Sequence, residues 1–446
     1  MGDVTPPARC PPFRAGVDLP LCTASYLGGQ SSDLGAVAFA ADGALVVGTA
    51  TAPGSLPQAP PKQPGPGTGN GALHRFDGSG HRLLSTLQMG DGIRDLDVAP
   101  TGAIVVVGEP FGVALVSRDG LSVVWTAAFA ADRVAIAPSG AVAALATATG
   151  TVRIFGPDGS LRGEFATRLP PGQGDVAIGD SPEAVFVVGA RPAGTPSVPV
   201  LDAHRLDGSV LWQAYGFTGE ALAANNLGAS STGIAVVFGR DGKLYYLGES
   251  QGGNTVHGRE PGDLGKPAPV VGSGDRYLTP FNTSRFVGFV GRFRAADGTL
   301  EAGQFLVPRE PGDSGNPAGV DLRPRALAVD AEGRVLVGGT QACCGPEGTQ
   351  KLLAGQSVAP AAEGVDGVAI LLAPDLARTE VWTTFGTGGG SAAVAVALGP
   401  QRAALLALQT LAQQQAAPLV THEALAPGPA GTPWATYFSV WPTPSR

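Results

Sequence analysis

A short apolar hairpin recurs along the chain, and this repeat constrains the fold more than any other feature of the sequence. Its first copy, AVAFAADGALVVGTATA from Ala36 to Ala52, has an apolar run, the turn Ala41-Asp42-Gly43 and a second apolar run. Short runs of Val, Ile, Leu and Ala between such turns are typical of strands that are buried on both faces. Six further copies begin at Ile93, Arg133, Asp175, Gly233, Ala326 and Ala393.

Third and fourth strands follow most of the hairpins. Third-strand segments end in tight turns, as in RIFGPDG from Arg153, and fourth-strand segments often contain aromatic residues, as in VVWTAAF from Val123. Four antiparallel strands in each of seven repeats is the plan of a β-propeller. We therefore predict an all-β chain, with a single seven-bladed β-propeller of four-stranded antiparallel blades over residues 23–441. A Pro-rich segment over 1–22 precedes it, and a tail over 442–446 follows.

The first repeat resembles a known family. The segment YLGGQSSDLGAVAFAADGALVVGTATA, from Tyr26, is similar to the seven-bladed β-propeller repeat of secreted bacterial proteins (the SBBP-type family), and ALAVDAEGRVLVGGT from Ala326 shows the same pattern. In that family the repeat has Tyr-Leu-Gly-Gly, an acidic residue, an apolar strand, Asp-x-Gly and a second apolar strand that ends in Gly-x-Thr. The resemblance implies the propeller fold and export from the cell, and it assigns no catalytic residue.

The net charge of −8 at pH 7 disfavours polyanionic partners. Nucleic acid and anionic membrane surfaces both require a basic protein face, so neither is expected to bind. The chain has no apolar run of the roughly 18 residues that a membrane span needs, and no signal peptide is visible at its start.

Four cysteines in a Gly- and Pro-rich all-β chain favour disulfides and an oxidising compartment. Cys10 and Cys22 flank a Pro-rich loop and are expected to be disulfide-bonded. Cys343 and Cys344 are adjacent, and a vicinal disulfide is the favoured state. Pairing with other cysteines, or free thiols that bind a metal, are the alternatives. We expect an extracellular or cell-surface location.

Long insertions predict one functional face. In an antiparallel blade, the connection from the second strand to the third leaves from the same face as the passage to the next blade. The long segments 52–70, 250–280, 308–324 and 341–364 all fall in these connections. Long loops on a rigid scaffold commonly carry function, whereas neutral insertion is the alternative.

Non-repeated residues on this face are the candidates for binding a glycan or a protein. We predict a polar and aromatic binding patch, of the kind that lines ligand sites, formed by His257, Arg259, Glu260, Asp263, Tyr277, Phe281 and Asp313. Their neighbours in the sequence include Phe286, Phe289, Glu310 and Asp321.

Acidic residues also recur at the start of several first strands: Asp33, Asp91, Asp95, Asp132 and Asp175. Around a channel entrance they would form a ring of carboxylates able to hold Ca²⁺ or to supply an acid–base pair. A repeated role as acceptors of backbone N–H bonds in turns is favoured. We therefore predict no metal site and no cofactor, with Ca²⁺ as the alternative.

Three histidines, His74, His204 and His422, occupy similar positions in different repeats. Imidazoles at equivalent positions around a propeller suggest metal ligands. However, third strands lie far from the propeller axis, so these side chains are not expected to meet. We expect structural roles for them, such as bonds to backbone carbonyls.

Eight outer-type strands are counted for seven blades. The surplus arises because the chain begins with the strand-like segment 23–29 and ends with PWATYFSVW from Pro433. One of them completes the last blade and leaves the other as an edge for self-association, or both lie in one enlarged blade.

The expected function is that of a secreted or surface-exposed scaffold for binding or assembly, which acts through its loop-rich face. The sequence has no Ser/His/Asp or Cys/His signature, phosphate loop or metal motif, so an enzyme is the less favoured class. The alternative is a carbohydrate-active hydrolase or lyase with an acidic site at the top of the channel.

Overall fold

The computed structural model describes residues 10–51, 62–63, 65–66, 69, 71–271, 286–308, 321–342, 350–358, 365–385, 390–410, 419–426 and 434–445. The chain is 58% strand and 3% helix, so the all-β prediction is confirmed. Within these ranges the helical elements are α1 (Gly219–Ala224) and one 3₁₀ turn (Val256–Gly258). None of the helices in the described residues is long and apolar enough to cross a membrane.

The strands follow one another along the chain with short turns between most of them. The first are β1 (Asp18–Leu19), β2 (Thr23–Phe39), β3 (Leu45–Thr51), β4 (Lys62–Gln63), β5 (Ala72–Phe76), β6 (Leu83–Gln88), β7 (Gly92–Val98), β8 (Ile104–Glu109), β9 (Gly112–Val116), β10 (Val123–Ala127) and β11 (Arg133–Ile136). Next come β12 (Val142–Ala146), β13 (Thr151–Phe155), β14 (Leu161–Ala166), β15 (Asp175–Asp180), β16 (Glu183–Pro192), β17 (Ser197–His204), β18 (Val210–Ala214), β19 (Ser231–Phe238), β20 (Lys243–Gln251), β21 (Arg259–Glu260) and β22 (Asp263–Pro267). The last are β23 (Phe286–Arg294), β24 (Leu300–Leu306), β25 (Leu322–Val329), β26 (Val335–Ala342), β27 (Leu352–Leu353), β28 (Gln356–Ser357), β29 (Val365–Leu372), β30 (Thr379–Thr384), β31 (Ser391–Gly399), β32 (Arg402–Thr410) and β33 (Trp434–Pro442).

Most strands belong to sheets of four antiparallel strands. Five such sheets consist of β7–β10, of β11–β14, of β15–β18, of β19 with β20, β23 and β24, and of β25 with β26, β29 and β30. The four-stranded antiparallel repeat predicted from the sequence is confirmed in them. We call these sheets units 2, 3, 4, 5 and 6, in chain order.

The largest sheet joins the two ends of the chain. Its strand order is β31-β32-β33-β2-β3-β5-β6-β4, because the long strand β2 pairs with two partners. Residues 23–29 of β2 pair with β33, and residues 35–39 pair with β3. The first half of β2 is thus the fourth strand of a group with β31, β32 and β33 (unit 7). Its second half is the first strand of a group with β3, β5 and β6 (unit 1).

This pairing corrects the predicted count of eight outer strands. β33 lies between β32 and β2, so it is the third strand of unit 7 and not an outer strand. Residues 23–29 supply the outer strand of the same unit. The leading strand thus completes the last unit, as one of the expected arrangements has it, but β33 is neither displaced nor surplus, and unit 7 has four strands and is not enlarged.

The second strands are buried on both faces because each packs against two neighbouring units. In β8, Ile104 and Val106 belong to an apolar cluster shared with unit 1. Val105 and Val107, which point the opposite way, belong to a second cluster shared with unit 3. The outer strand β10, by contrast, alternates between partly buried and exposed residues. Because both faces of these strands are buried, the recurring hairpins are apolar throughout and do not alternate between apolar and polar residues.

The segment 10–22 is tied to the sheets by a disulfide and by strand pairing. Cys10 is bonded to Cys22, which confirms that predicted disulfide. β1 pairs in parallel with β27, and β27 pairs with β28, in a small three-stranded sheet. Cys343 and Cys344 lie outside the described residues, so their vicinal disulfide stays a prediction.

Turn glycines lie against tryptophan rings of the preceding unit. Gly159 and Gly298 have φ of 82° and 71°, in the left-handed region that favours glycine. A Cβ on Gly159 would lie 3.0 Å from the ring of Trp125, and one on Gly298 would lie 2.6 Å from the ring of Trp212. Both Nε1–H groups also donate to carbonyl oxygens of the adjoining turns, at 3.0 and 2.8 Å. Each tryptophan thus joins two units.

We predict that Gly298→Ala destabilises the fold more than Gly242→Ala. Both glycines lie in turns of unit 5 with similar φ, 71° and 74°, but a Cβ on Gly242 meets nothing within 4 Å. Gly242→Ala should cost only the backbone strain of about 1–2 kcal/mol, whereas Gly298→Ala should cost roughly 1–3 kcal/mol more because it displaces Trp212. Urea unfolding of both variants measures the difference. Equal losses would show that the tryptophan contact does not hold the units together.

Candidate functional site

The first strands of all seven units line one cavity of about 500 Å³, a size suited to a small ligand. Much of its wall consists of small apolar side chains. One representative lining residue from each unit, in the order 1 to 7, is Ala38, Asp97, Ala135, Ala177, Val237, Ala328 and Ala397.

Carboxylates occupy the cavity wall where units 2 and 3 meet. Asp95 Oδ2 accepts the backbone N–H of Val134 at 2.9 Å, and Asp97 Oδ2 accepts that of Ile136 at 2.9 Å. The other oxygen of each aspartate accepts the N–H of the next residue in β7, at 2.9 and 2.7 Å. Each carboxylate therefore bridges the first strands of two neighbouring units.

The same bond recurs between units 4 and 5, where Asp175 Oδ2 accepts the N–H of Val236 at 2.9 Å. Within the part of the chain that the structure describes, the first strands have no partner strand on the cavity side, so their N–H groups there need another acceptor. The carboxylates take that role. Asp95 and Asp175 thus accept backbone N–H groups, as the favoured interpretation expects, but these groups lie in first strands and not in a turn.

Burial raises the pKa of all three carboxyls. The pKa of Asp95 rises to about 7, mainly by burial, while the nearby Arg133 opposes the rise and Asp175 adds to it. Burial also raises the pKa values of Asp97 and Asp175, against the N–H bonds that they accept. The cavity wall therefore holds carboxyls that bind protons more tightly than free aspartate does.

The other acidic residues of the proposed ring have different surroundings. Asp132 Oδ2 accepts the backbone N–H and the hydroxyl of Thr147, at 2.9 and 2.6 Å, and its other oxygen lies 3.2 Å from Arg94. Asp91 lies in a turn, and nothing is described of the Asp33 side chain. Among the described residues, no three His, Cys, Asp or Glu side chains are grouped to hold a metal ion. The Ca²⁺ alternative stays a prediction.

The structure does not bring the three repeat histidines together, since they contact different units. His74 is buried in unit 1, where its ring nitrogens lie 3.2 Å from two threonine hydroxyls. His204, in unit 4, stacks on Phe165 with ring centroids 4.2 Å apart. His422 exchanges backbone hydrogen bonds with Ala24 at the edge of unit 7.

His257 belongs to the insert of unit 5 (segment 250–280), and its side chain lies in the core and not on a binding surface. Its ring is 0% exposed and stacks on Phe289, with centroids 4.9 Å apart. Its Nε2 lies 2.9 Å from the hydroxyl of Tyr246. Burial lowers the pKa of His257 to about 3, so the ring is neutral at physiological pH.

The other predicted binding residues are only partly within the described chain. Arg259 and Glu260 form β21, which pairs with β22 in a short hairpin. Asp263 begins β22, is exposed, and lies 3.2 Å from the Lys266 ammonium. Tyr277, Phe281 and Asp313 lie outside the described residues. A common binding patch of these seven residues stays a prediction.

A cluster that the sequence did not assemble lies where units 5 and 6 meet. It is at the loop end, the end of the units at which second strands connect to third strands. The N–H of Phe286 donates to Asp321 Oδ1 at 2.9 Å, and Arg323 Cζ lies 3.3 Å from the centroid of the Phe286 ring. Glu249 Oε1 lies 3.9 Å from Arg323 Nη1. We call Glu249, Phe286, Asp321 and Arg323 the junction patch.

Glu249 is the titratable centre of the junction patch. Burial raises its pKa to about 7, while Arg323 lowers it and Asp321 raises it further. The Arg323 guanidinium, on the face of an aromatic ring, is held flat and half-exposed. The patch therefore offers a planar donor surface beside a carboxyl whose charge changes near neutral pH.

No protein-family model matches the chain, and no curated protein matches it. Among solved structures the chain is similar to U3-55K, with 7% identity and a TM-score of 0.52 over 95% of this chain and 100% of that one. It also resembles hydrazine synthase of Kuenenia stuttgartiensis, with 11% identity and a TM-score of 0.49 over 85% and 96% of the two chains. It is also similar to the computationally designed protein Ika8, with 12% identity and a TM-score of 0.45 over 96% of this chain and 100% of that one. The likeness to U3-55K concerns the fold alone.

We predict that the contribution of Asp95 to the stability is lost as the pH rises from about 4 towards 7. The folded chain binds the Asp95 proton more tightly than the unfolded chain, whose aspartate pKa is about 3.9. This contribution is complete below the unfolded pKa and is lost as the pH rises through the folded one. Asp95→Asn keeps an oxygen acceptor but does not titrate. In this variant the free energy of unfolding should fall by roughly 2 kcal/mol less between about pH 5 and 7 than in the parent protein, as measured by urea unfolding.

Asp119→Asn is the control for this prediction. The pKa of Asp119 is lowered by bonds from Ser117 and Leu121, so its contribution is lost at acid pH instead. Its replacement should leave the pH dependence of the free energy of unfolding between about pH 5 and 7 unchanged. An unchanged slope in Asp95→Asn would contradict the assignment of the neutral-pH titration to the cavity wall.

Proposed function

We propose that the seven units form a closed, seven-bladed β-propeller. Contacts link the first strands in sequence, from β2 to β7, β11, β15, β19, β25 and β31, and β31 contacts β2. The cavity bordered by all seven units supports the same arrangement. In it the strand β2, shared by units 1 and 7, closes the ring.

We further propose that the loop end of this scaffold binds a protein or a glycan. The observation that carries this proposal is the hydrogen bond from Phe286 to Asp321. Phe286 follows the insert of unit 5, and Asp321 follows the passage from unit 5 to unit 6. The bond therefore anchors the ends of both segments at one place. Two segments that hold the predicted residues Tyr277, Phe281 and Asp313 leave from the junction patch.

The chemistry of the patch fits recognition of a polar ligand. Arg323 presents a fork of N–H donors for carboxylate or hydroxyl oxygens. Phe286 keeps the guanidinium plane in place and supplies an apolar face, a combination common at sites for sugars and peptides. Glu249 supplies an acceptor when ionised and a donor when protonated. A ligand that donates to Glu249 would therefore bind more tightly above about pH 7, where the carboxylate forms.

The hydrolase alternative has one specific observation in its favour. The Asp95 carboxyl, with a pKa of about 7, has the acidity of a general acid at neutral pH. Both of its oxygens already accept backbone N–H groups, however, as do both oxygens of Asp97. A catalytic role requires at least one of these bonds to be exchanged for substrate, so binding is the better-supported function.

We also propose that the protein acts outside the cell. The Cys10–Cys22 disulfide supports this, because such bonds persist in oxidising compartments.

The test is a binding screen of the purified protein on a glycan array and on an array of peptides, followed by titration of the strongest hit. Arg323→Ala should weaken this binding at least about tenfold, since arginine anchors often contribute more than 1 kcal/mol. Arg118→Ala is the matched control. Arg118 is also exposed, but it lies in the turn between β9 and β10 of unit 2, at the end of the units opposite to the loop end.

Three results would count against the proposal. They are an absence of hits on both arrays, a loss of affinity caused by Arg118→Ala and not by Arg323→Ala, and release of sugar from the array glycans. Sugar release that is lost in Asp95→Asn would establish the hydrolase instead.

A further inference from the structure

One residue of the first strand is bulged at the same place in units 2, 5, 6 and 7. The bulged residues are Arg94, Ile234, Arg325 and Val394. An extra residue in a strand changes the direction of its side chain. In units 2 and 6 this residue is an arginine at the loop end of the strand, and the two arginines have different surroundings.

In unit 2 the bulged arginine is paired within the chain. Arg94 Nη2 lies 2.6 Å from Glu109 Oε1, and Arg94 Nη1 lies 3.2 Å from Asp132 Oδ1. Glu109 is the register partner of Gly92, two residues before Arg94. Two carboxylates therefore neutralise the Arg94 guanidinium, one from its own unit and one from unit 3.

In unit 6 the equivalent arginine has no such partner. Thr340 is the register partner of Arg323, two residues before Arg325, so it takes the place that Glu109 has in unit 2. Arg325 is exposed, and within the part of the chain that the structure describes no hydrogen bond or ion pair holds it. The Arg325 guanidinium is therefore available to an anion from outside the chain.

Arg325 lies beside the junction patch. Burial raises the pKa of Glu249 to about 7, and the register partners of Glu249 on β19 and β23 carry no charge. Arg323 and Arg325 lower this pKa and Asp321 raises it, so all three charges lie near the Glu249 carboxyl. When Glu249 is protonated, two guanidiniums face one ionised carboxylate, and the local charge is positive.

We propose that Arg325 and the junction patch bind the carboxylate of an acidic sugar, such as a uronic acid unit of a glycan. The inference rests on the binding proposed for the loop end and names the class of ligand. Two neighbouring guanidiniums supply the N–H donors that a carboxylate accepts in pairs. Glu249 adds a further donor when it is protonated.

A free acceptor beside the guanidiniums favours a sugar over a peptide. Asp321 Oδ1 accepts the Phe286 N–H, whereas Asp321 Oδ2 accepts no hydrogen bond from the described residues. A uronic acid has hydroxyl donors next to its carboxylate, and these can bond to Asp321 Oδ2 while the carboxylate meets the arginines. The acidic side chains of a peptide have no hydroxyl at that place. The patch therefore matches an anionic group that also carries hydroxyls.

Calorimetric titration of the full chain with an oligogalacturonate tests the proposal. The methyl ester of the same oligosaccharide is the matched control ligand, because it keeps the hydroxyls and loses the charge. The acid should bind at least about tenfold more tightly than the ester, since hydrogen bonds to charged groups are the stronger ones. A poly-glutamate peptide should bind more weakly than the acid.

Arg325→Ala should weaken the binding of the acid at least about tenfold. The affinity in Arg118→Ala should be unchanged, because Arg118 is exposed at the end of the units opposite to the loop end. Arg325→Gln keeps most of the side chain and removes its charge, and it should show the same loss if Arg325→Ala fails to fold.

The acid should also bind about fivefold more tightly at pH 6 than at pH 8. The reason is that protonation of Glu249 removes one negative charge near the bound carboxylate. Glu249→Gln should abolish this difference, because the amide does not titrate.

Absent binding of the acid, equal affinities for acid and ester, or a preference for poly-glutamate would overturn the inference. So would binding of the acid that persists in both Arg325 variants, or that is tighter at pH 8. If the loop end instead binds a neutral glycan or a peptide, and Arg323→Ala abolishes this binding, the proposed function holds and only the acidic ligand is wrong. No binding of any glycan or peptide would overturn both.

Discussion

The inner strands of this chain pack against two neighbouring sheets at once, and this double burial determines how the remaining residues are distributed. Alternate side chains of β8 enter different apolar clusters, one shared with unit 1 and the other with unit 3. Polar residues are therefore displaced to the outer strands, the turns and the cavity wall. Tryptophans on outer strands, such as Trp125 and Trp212, extend the contact between units to the turns of the next unit.

Two sets of free strand edges follow from this arrangement. On the cavity side, Asp95, Asp97 and Asp175 accept N–H groups that have no partner strand, and their burial makes them weak acids. On the outside, segments from the inserts cover the edges of units 1, 5, 6 and 7. The inserts thus have a structural role besides the ligand binding proposed for the loop end. Among the described residues, no strand or bridge pairs with the outer edges of units 2, 3 and 4.

The strand repeats could be predicted from the sequence because hairpin turns and apolar runs are local signals. Pairing between the chain ends could not, because β33 has the aromatic pattern of an outer strand but lies third in its unit. Polarity was also misleading for His257, since nothing in its neighbours indicates that an insert turns inward and buries the ring. The junction patch escaped prediction because Glu249 and Arg323 come from separate strands, joined only by the packing of units 5 and 6.

The central claim is that β2 closes the ring by completing unit 7, and a cysteine pair across that seam tests it most directly. Ala24 and Ser439 are partners in the register of β2 and β33. The double variant Ala24→Cys with Ser439→Cys is therefore predicted to form a disulfide on mild oxidation, found by mass spectrometry as one linked peptide pair. The bond should also raise the stability against urea, because it joins residues that are distant in the sequence. Two free thiols in the folded, oxidised protein would contradict the closure.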